Sequence, residues 1–356
     1  MAAVVATRDS RRAFTTGLQA LAVAGCYYAA GRLGLLRQLA VEGAVFTPIW
    51  PATGVALGAL LILGPRCWPG IALGAFLVIL SLTGLDIHPT ALITVAGNTA
   101  APVFSYLLLR RVGFRPELER LRDGISLVVL GALVGTLVSA TTGVSTLVLT
   151  DDLEASAFGT VWFAWWVGDA MGVLIITPLV LVVAVTRPRP TLRPNLHRWP
   201  EAAALLVATL VIVPLATRSS VSVLFLVCPL LIWAALSFQV AGSMLCALFT
   251  SVMATVAATD GVGPFQGLTH VEVMSKLQAF NGSMALTALL LSAVITEQRN
   301  TRRSVERACQ ELVEVLEYLT TSEPQARWPP PGTDFPEIPH LPEKPPRPAD
   351  PHGGPA

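Results

Sequence analysis

Charge is scarce in this sequence of 356 residues. Charged residues make up 13% and hydrophobic residues 53%, whereas a soluble domain usually carries about 25% charged residues. Lysine is almost missing, since only Lys276 and Lys344 occur. The composition excludes an ordinary water-soluble domain, and the mean hydropathy of +0.63 indicates a membrane protein.

The common motifs of catalysis and cofactor binding are missing as well. The chain contains no P-loop, no dinucleotide-binding fingerprint and no HExxH motif. Its five cysteines form no CxxC pair and show no regular spacing, which argues against a zinc site and a disulfide framework. We therefore expect a protein that is not an enzyme, with no catalytic residues, no cofactor, no metal and no nucleic-acid partner.

Long apolar stretches recur along the chain. A crossing of the bilayer needs roughly 20 mainly apolar residues. Ten stretches are candidates: residues 13–31, 46–63, 69–84, 89–109, 124–149, 159–185, 201–217, 219–238, 240–258 and 275–296. The fold class predicted is all-α, a polytopic integral membrane helix bundle of about ten transmembrane helices in the lipid bilayer.

Arginines in the connecting segments predict the orientation of the bundle. If the N-terminus is cytoplasmic, the inner segments hold 17 arginines and the outer segments four basic residues. This asymmetry follows the positive-inside rule. It predicts cytoplasmic N- and C-termini, a basic N-terminal segment at 1–12, a membrane domain at 13–296, a cytoplasmic helix at 297–322 and a proline-rich tail at 323–356.

Asp169 is the one acid well inside a predicted span. It lies about 15 Å into the bilayer from the outer side, at 1.5 Å per residue, and such groups usually face the bundle interior. Other polar and aromatic residues also fall in the outer half. We therefore hypothesise one ligand-binding cavity that opens outward. Its candidate residues are Asp169, Trp166, Trp165, Asn98, Asn281 and Trp50.

Each of these residues also has an explanation that needs no ligand. Tryptophans gather at membrane interfaces in general. Asn98 and Asn281 have the side chains to hydrogen-bond between helices for about 0.6 kcal/mol each, with Asp169 as a buried partner of one of them.

The cytoplasmic region changes character twice. Residues 297–321 place Val305, Ala308, Leu312, Val315 and Leu319 at heptad positions a and d, which suits either a homodimer through this helix or an amphipathic helix against the membrane. From Pro336 to Pro351 a proline recurs at every third residue. Such a segment suits an adaptor ligand, although we expect a solvated, disordered tail.

Five stretches in order along the chain resemble the membrane-associated sensor (MASE) domain, type one. They are residues 46–56 (FTPIWPATGVA), 63–70 (LGPRCWPG), 165–172 (WWVGDAMG) with Thr177-Pro178, 229–236 (PLLIWAAL) and 263–265 (GPF). The resemblance covers roughly residues 15–300. One departure is Ser237-Phe238-Gln239, where the family often has Arg-Phe-Gly.

The resemblance implies a bacterial sensory membrane domain, which in that family normally precedes a histidine kinase, diguanylate cyclase or phosphodiesterase domain. Because no output domain follows here, we expect a stand-alone sensor of an extracytoplasmic or membrane-borne stimulus that acts on a separate cytoplasmic kinase, cyclase or phosphodiesterase. One alternative is a proton-coupled or small-solute transporter that uses Asp169. Another is a membrane scaffold whose working part is the proline-rich tail.

Overall fold

Helices dominate the computed structural model, which describes residues 2–41, 44–83, 89–185, 199–219 and 223–322. The main elements are α1 (Ala2–Gly34), β1 (Leu39–Val41), β2 (Ala44–Phe46), α2 (Pro51–Leu63), α3 (Trp68–Thr83), α4 (Pro89–Arg111), α5 (Leu121–Ser126) with a π-helical continuation (Leu127–Val134), α6 (Leu137–Leu149), α7 (Phe158–Val185), α8 (Trp199–Arg218), α9 (Val227–Thr259) and α10 (His270–Ser322). The tail predicted at 323–356 lies outside the described residues.

The chain divides into two compact units, Met1–Arg303 and Ser304–Ala356. Within the described residues, seven helical segments are long and apolar enough to cross a membrane, and the shorter apolar helix α2 adds to them. The prediction of an all-α membrane bundle is confirmed. The count of ten crossings and the cytoplasmic location of both termini stay predictions.

The second predicted span begins later than its apolar pattern suggested. β1 and β2 pair in antiparallel fashion, with Leu39 opposite Phe46, and α2 starts at Pro51 rather than at residue 46. The reason is local, because Pro48 and Pro51 restrict the residue before each of them to extended backbone. Proline is also favoured in the first turn of a helix, where its missing N–H costs nothing.

α9 is divided at Gln239, whose backbone angles (φ 55°, ψ −143°) are not helical. Just before this break, the Ser237 hydroxyl donates to Glu201 at the start of α8. After the end of α9, Gly263 approaches the backbone of Thr217 at the end of α8. The chain therefore turns back at Gln239, the residue between the spans predicted at 219–238 and 240–258.

Contacts at the two ends of the bundle group the connecting segments. At one end, named the Asp260 end, Arg37 forms an ion pair with Asp260 at 2.7 Å. At the other, the Glu201 end, Arg299 donates to the carbonyl oxygen of Leu236. This grouping agrees with the sequence prediction, which assigned Arg37 and Asp260 to the outer side and Arg299 to the inner side.

The helices α2 and α7 lie at the centre and approach each other closely. A Cβ atom added to Gly54 would lie 2.1 Å from the carbonyl oxygen of Gly172, and one added to Gly172 would lie 1.9 Å from that of Trp50. Both glycines belong to GxxxG pairs, which let helix backbones meet in lipid. Their packing fixes the position of α2 against the middle of α7.

Candidate functional site

A non-helical segment, Thr47 to Trp50, lies against the middle of α7. The Trp50 N–H donates to the carbonyl oxygen of Gly168 over 2.9 Å, and α2 begins at the next residue, Pro51. Irregular backbone at membrane depth is tolerated only where protein buries it or where it lines a cavity. The N-terminus of a 13-residue helix is therefore held inside the bundle.

Asp169 lies beside this helix start and is 1% exposed. Its Oδ1 accepts a hydrogen bond of 2.6 Å from the hydroxyl of Thr53, the third residue of α2. Its Oδ2 accepts a hydrogen bond from the Ser139 hydroxyl of α6. The N-terminal end of a helix also carries a partial positive charge, so the carboxyl group is surrounded by hydroxyl donors and a helix dipole.

Ser139 has a second acceptor within reach. Its hydroxyl lies 2.9 Å from the carbonyl oxygen of Thr136, one helical turn earlier. Because a serine hydroxyl carries a single hydrogen, it can donate to either Thr136 or Asp169 but not to both at the same time. Ser139 can therefore release Asp169 without losing its own hydrogen bond.

A cavity of about 170 Å³ opens next to Asp169. Its wall is formed by Tyr27, Leu35, Thr47, Trp50, Ala75, Val78, Ile79, Leu82, Thr94, Asn98, Trp165, Gly168 and Asp169. Four of the six residues predicted from the sequence thus meet in one wall, although they come from three separate stretches of the chain. They are Asp169, Trp165, Asn98 and Trp50.

Part of the wall lies toward the Asp260 end. The wall residue Leu35 comes directly after the last residue of α1. It lies two positions before Arg37, which forms the ion pair at the Asp260 end. Leu82, which is 57% exposed, lies one residue before the end of α3. The Arg32 guanidinium donates to the Ser81 hydroxyl over 3.2 Å and so joins the ends of α1 and α3. This end is the one that the arginine distribution predicts to be outside.

Comparison with known protein families decides the kind of domain. A family model, MASE1, matches residues 19–299, and this range includes every wall residue of the cavity. The chain belongs to the MASE1 family. No curated protein matches the chain, and no solved structure does. MASE1 is a membrane-associated sensory family, so the chain is a multi-pass membrane protein of a sensory class.

Trp166 lies outside the cavity wall of this MASE1 domain. Its indole N–H donates to the carbonyl oxygen of Leu133 over 2.7 Å, and its ring stacks on Trp162 with 5.8 Å between the centroids. Leu133 belongs to the π-helical stretch Leu127–Val134. A π-helical turn shifts the regular backbone hydrogen-bond pattern. The Trp166 indole therefore provides a hydrogen bond to a carbonyl group of this π-helical stretch.

Asn281 also lies outside the wall. It is fully buried, and neither its amide nitrogen nor its amide oxygen has a hydrogen-bond partner among the residues that the structure describes. The MASE1 domain therefore separates the two predicted asparagines: Asn98 faces the cavity and Asn281 does not line it.

A hydrogen bond joins the cavity wall to α10. The side-chain amide of Gln278 donates to the carbonyl oxygen of Pro48 over 3.0 Å. Pro48 lies between Thr47 and Trp50, which both line the cavity. Gln278 belongs to a stretch, Leu277-Gln278, that also resembles the sensor family, but it was not among the candidate site residues, because no pattern in the sequence indicates a contact with a segment 230 positions away.

Other residues of the site were missed for similar reasons. Tyr27 is 1% exposed and lines the cavity, and its hydroxyl has no hydrogen-bond partner among the described residues. A tyrosine well inside the first predicted span was the available signal. Thr53 and Ser139 gave none, since hydroxyl residues are common in membrane helices and usually bond to their own backbone.

In the stretches that the structure describes, no three His, Cys, Asp or Glu side chains converge as a metal site.

Proposed function

We propose that this chain is a bacterial membrane sensor whose stimulus occupies the Asp169 cavity. The stimulus reaches the cavity from outside the cell or from the bilayer. The response passes to α10 and then to a separate cytoplasmic partner, a kinase, cyclase or phosphodiesterase. The chain itself carries out no catalysis.

The hydrogen bond between Gln278 and Pro48 is the observation that carries this proposal. A ligand that displaces the wall at Thr47 or Trp50 also displaces Pro48, the acceptor between them. Gln278 then draws α10 with it, and α10 is one helix from His270 to Ser322. A ligand can shift such an equilibrium only by its differential affinity for two arrangements, and this bond makes the arrangement of α10 depend on the wall.

At the Glu201 end, α10 makes two further contacts that a movement of the helix would change. The Leu121 N–H donates to the Glu297 carboxylate over 2.9 Å, and Arg299 donates to the carbonyl oxygen of Leu236. Helix shifts of about 1–2 Å are a common form of switching. A shift of that size would remake both contacts, which supports α10 as the moving element.

Exposed apolar side chains support a partner for the described part of the second unit. The exposed residues are Val305, Leu312, Val313, Val315 and Leu316. Contiguous exposed apolar surface commonly marks an interaction site. It suits a cytoplasmic output protein or the homodimer predicted through 297–321.

A chemical group attached covalently inside the cavity tests the proposal, and this test does not require the natural ligand to be known. Asn98→Cys, in a background with alanine at Cys26 and Cys309, would be reacted with benzyl methanethiosulfonate to place a benzyl group in the cavity. Hydrogen–deuterium exchange would then be measured for residues 270–322 in lipid nanodiscs. We expect exchange in this helix to change by about tenfold, within the usual range of allosteric coupling.

Ile93→Cys provides the matched control, because Ile93 lies on the same helix and its side chain is 51% exposed. The same reagent at this position should leave α10 unchanged. If filling the cavity at position 98 also leaves the exchange of α10 unchanged, the sensor proposal is wrong.

The transporter remains the second candidate, and one observation favours it. The irregular segment at Thr47 to Trp50 and the buried start of α2 beside Asp169 resemble the broken helices of transporters. Solute flux in proteoliposomes that is lost in Asp169→Asn would support transport. Coupling of the cavity to α10 without flux supports the sensor.

A further inference from the structure

The wall of the Asp169 cavity combines one acid with three aromatic rings. Tyr27, Trp50 and Trp165 line the same space as the carboxyl group, and most of the other wall residues are aliphatic. Among the residues that the structure describes, no cationic side chain forms an ion pair with Asp169. The inference that follows rests on the proposed function, in which this cavity receives the stimulus.

Asp169 retains capacity for a ligand donor. A carboxylate offers about four acceptor sites. Thr53 and Ser139 use two of them. Ser139 can turn to Thr136 instead, which would free a second site on the carboxyl group at no cost in unpaired polar atoms.

The aromatic rings suit a positively charged ligand. A cation over the face of Trp or Tyr is attracted by the ring quadrupole, and the attraction is strongest where the cation is removed from water. A hard metal cation is a poor match for this wall, because calcium and magnesium take at least six oxygen ligands. The wall offers aromatic and aliphatic surface around few oxygen atoms.

The volume limits the ligand to a small molecule. A cavity on the order of 150 Å³ holds one benzene, and the cavity beside Asp169 measures about 170 Å³. We propose that it binds a small organic cation, a primary ammonium carried on an apolar or aromatic group, with the ammonium hydrogen-bonded to Asp169 and the apolar part against Trp50 and Trp165.

Three ligands of nearly equal shape and different charge test this class. Benzylamine, which is protonated at neutral pH, benzyl alcohol and benzoate would be dialysed against the full chain in lipid nanodiscs, with empty nanodiscs to subtract partition into lipid. We expect benzylammonium to bind at least about tenfold more tightly than the other two. Equal or tighter binding of benzyl alcohol or benzoate would overturn the proposal, and this comparison needs no variant.

Asp169→Asn should reduce benzylammonium binding by about tenfold or more. Asp151→Asn is the matched control, since Asp151 is an exposed acid in the left-handed region (φ 61°) that asparagine also adopts. Unchanged binding in Asp169→Asn would contradict the proposal. If benzylammonium fails to bind while the tethered benzyl group still alters α10, the ligand class is wrong and the sensor stands. Binding that leaves α10 unchanged under both treatments would count against the sensor alone.

Discussion

Thr53 and Asp169 are 116 positions apart in the chain and are joined by a hydrogen bond of 2.6 Å. This bond fixes the first turn of α2 to the middle of α7. Both residues are buried, and both belong to helices that meet through glycines. The acid of the site is therefore part of the packing between the two central helices as well as part of the cavity wall.

Thr53→Val keeps the shape of the side chain and removes this hydrogen bond. We expect it to lower the free energy of unfolding by about 1 kcal/mol, since such bonds in membrane proteins average ~0.6 and reach ~1.7 kcal/mol. In an Asp169→Leu background, which lacks the acceptor, Thr53→Val should lower the free energy of unfolding by less, and a double-mutant cycle on SDS-induced unfolding measures the difference.

Thr146→Val is the matched control for this cycle, because the buried Thr146 hydroxyl donates only to its own helix, at Thr142. Its effect should add to that of Asp169→Leu without coupling. An additive Thr53→Val would show that Thr53 and Asp169 do not interact.

Gly172→Ala should separate α2 from α7. The added methyl group would lie 1.9 Å from the backbone oxygen of Trp50, which cannot move without shifting the whole segment into α2. We expect a loss of about 1–3 kcal/mol, as for overpacked cores. Gly25→Ala, where nothing lies within 4 Å of the added atom, should change stability by less than about 0.5 kcal/mol. Equal thermal unfolding midpoints of the two variants would refute this packing.

Gln239→Gly should stabilise the protein. Gln239 has φ 55° and ψ −143°, a conformation that costs a residue with a side chain about 1–3 kcal/mol and that glycine adopts freely. The expected gain is about 1 kcal/mol in the free energy of unfolding. Gln239→Ala keeps the Cβ atom and should show no gain. If glycine and alanine change the free energy of unfolding equally, residue 239 does not have the positive φ angle described here.

Labelling of single cysteines checks the orientation. With the other cysteines replaced by alanine, a membrane-impermeant maleimide should label Asp152→Cys in intact cells. It should reach Cys309, which is exposed, only after the cells are permeabilised, because the arginine distribution places it in the cytoplasm. The opposite pattern would invert the bundle and place the cavity mouth inside the cell.

Much of the fold follows from sequence patterns with a strong physical basis. Apolar runs of membrane length predicted the helices, and the acid in an apolar run predicted that Asp169 is buried, as it is in the structure. The tryptophans and Asn98 were grouped with it by their predicted depth, and Trp50, Trp165 and Asn98 do line one wall.

Predicted depth in the membrane could not distinguish residues that lie at the same depth but face different directions. Trp166 and Asn281 lie at similar predicted depths, yet they point to other neighbours, because the face of a helix is set by tertiary packing. The start of α2 at Pro51 and the hydrogen bond from Gln278 to Pro48 depend on how distant segments meet. The periodicity of the sequence does not indicate which distant segments come into contact.

In the proposed mechanism, Gln278 transmits the state of the cavity wall to α10. Gln278→Leu removes the donor to Pro48 and keeps a side chain of similar size. The decisive measurement is hydrogen–deuterium exchange of residues 270–322 in this variant, with and without the benzyl group tethered at Asn98→Cys. We expect the benzyl group to be attached at the same rate as in the protein with Gln278, and the exchange of α10 to be the same with and without it. A response of α10 as large as that seen with Gln278 would contradict this mechanism.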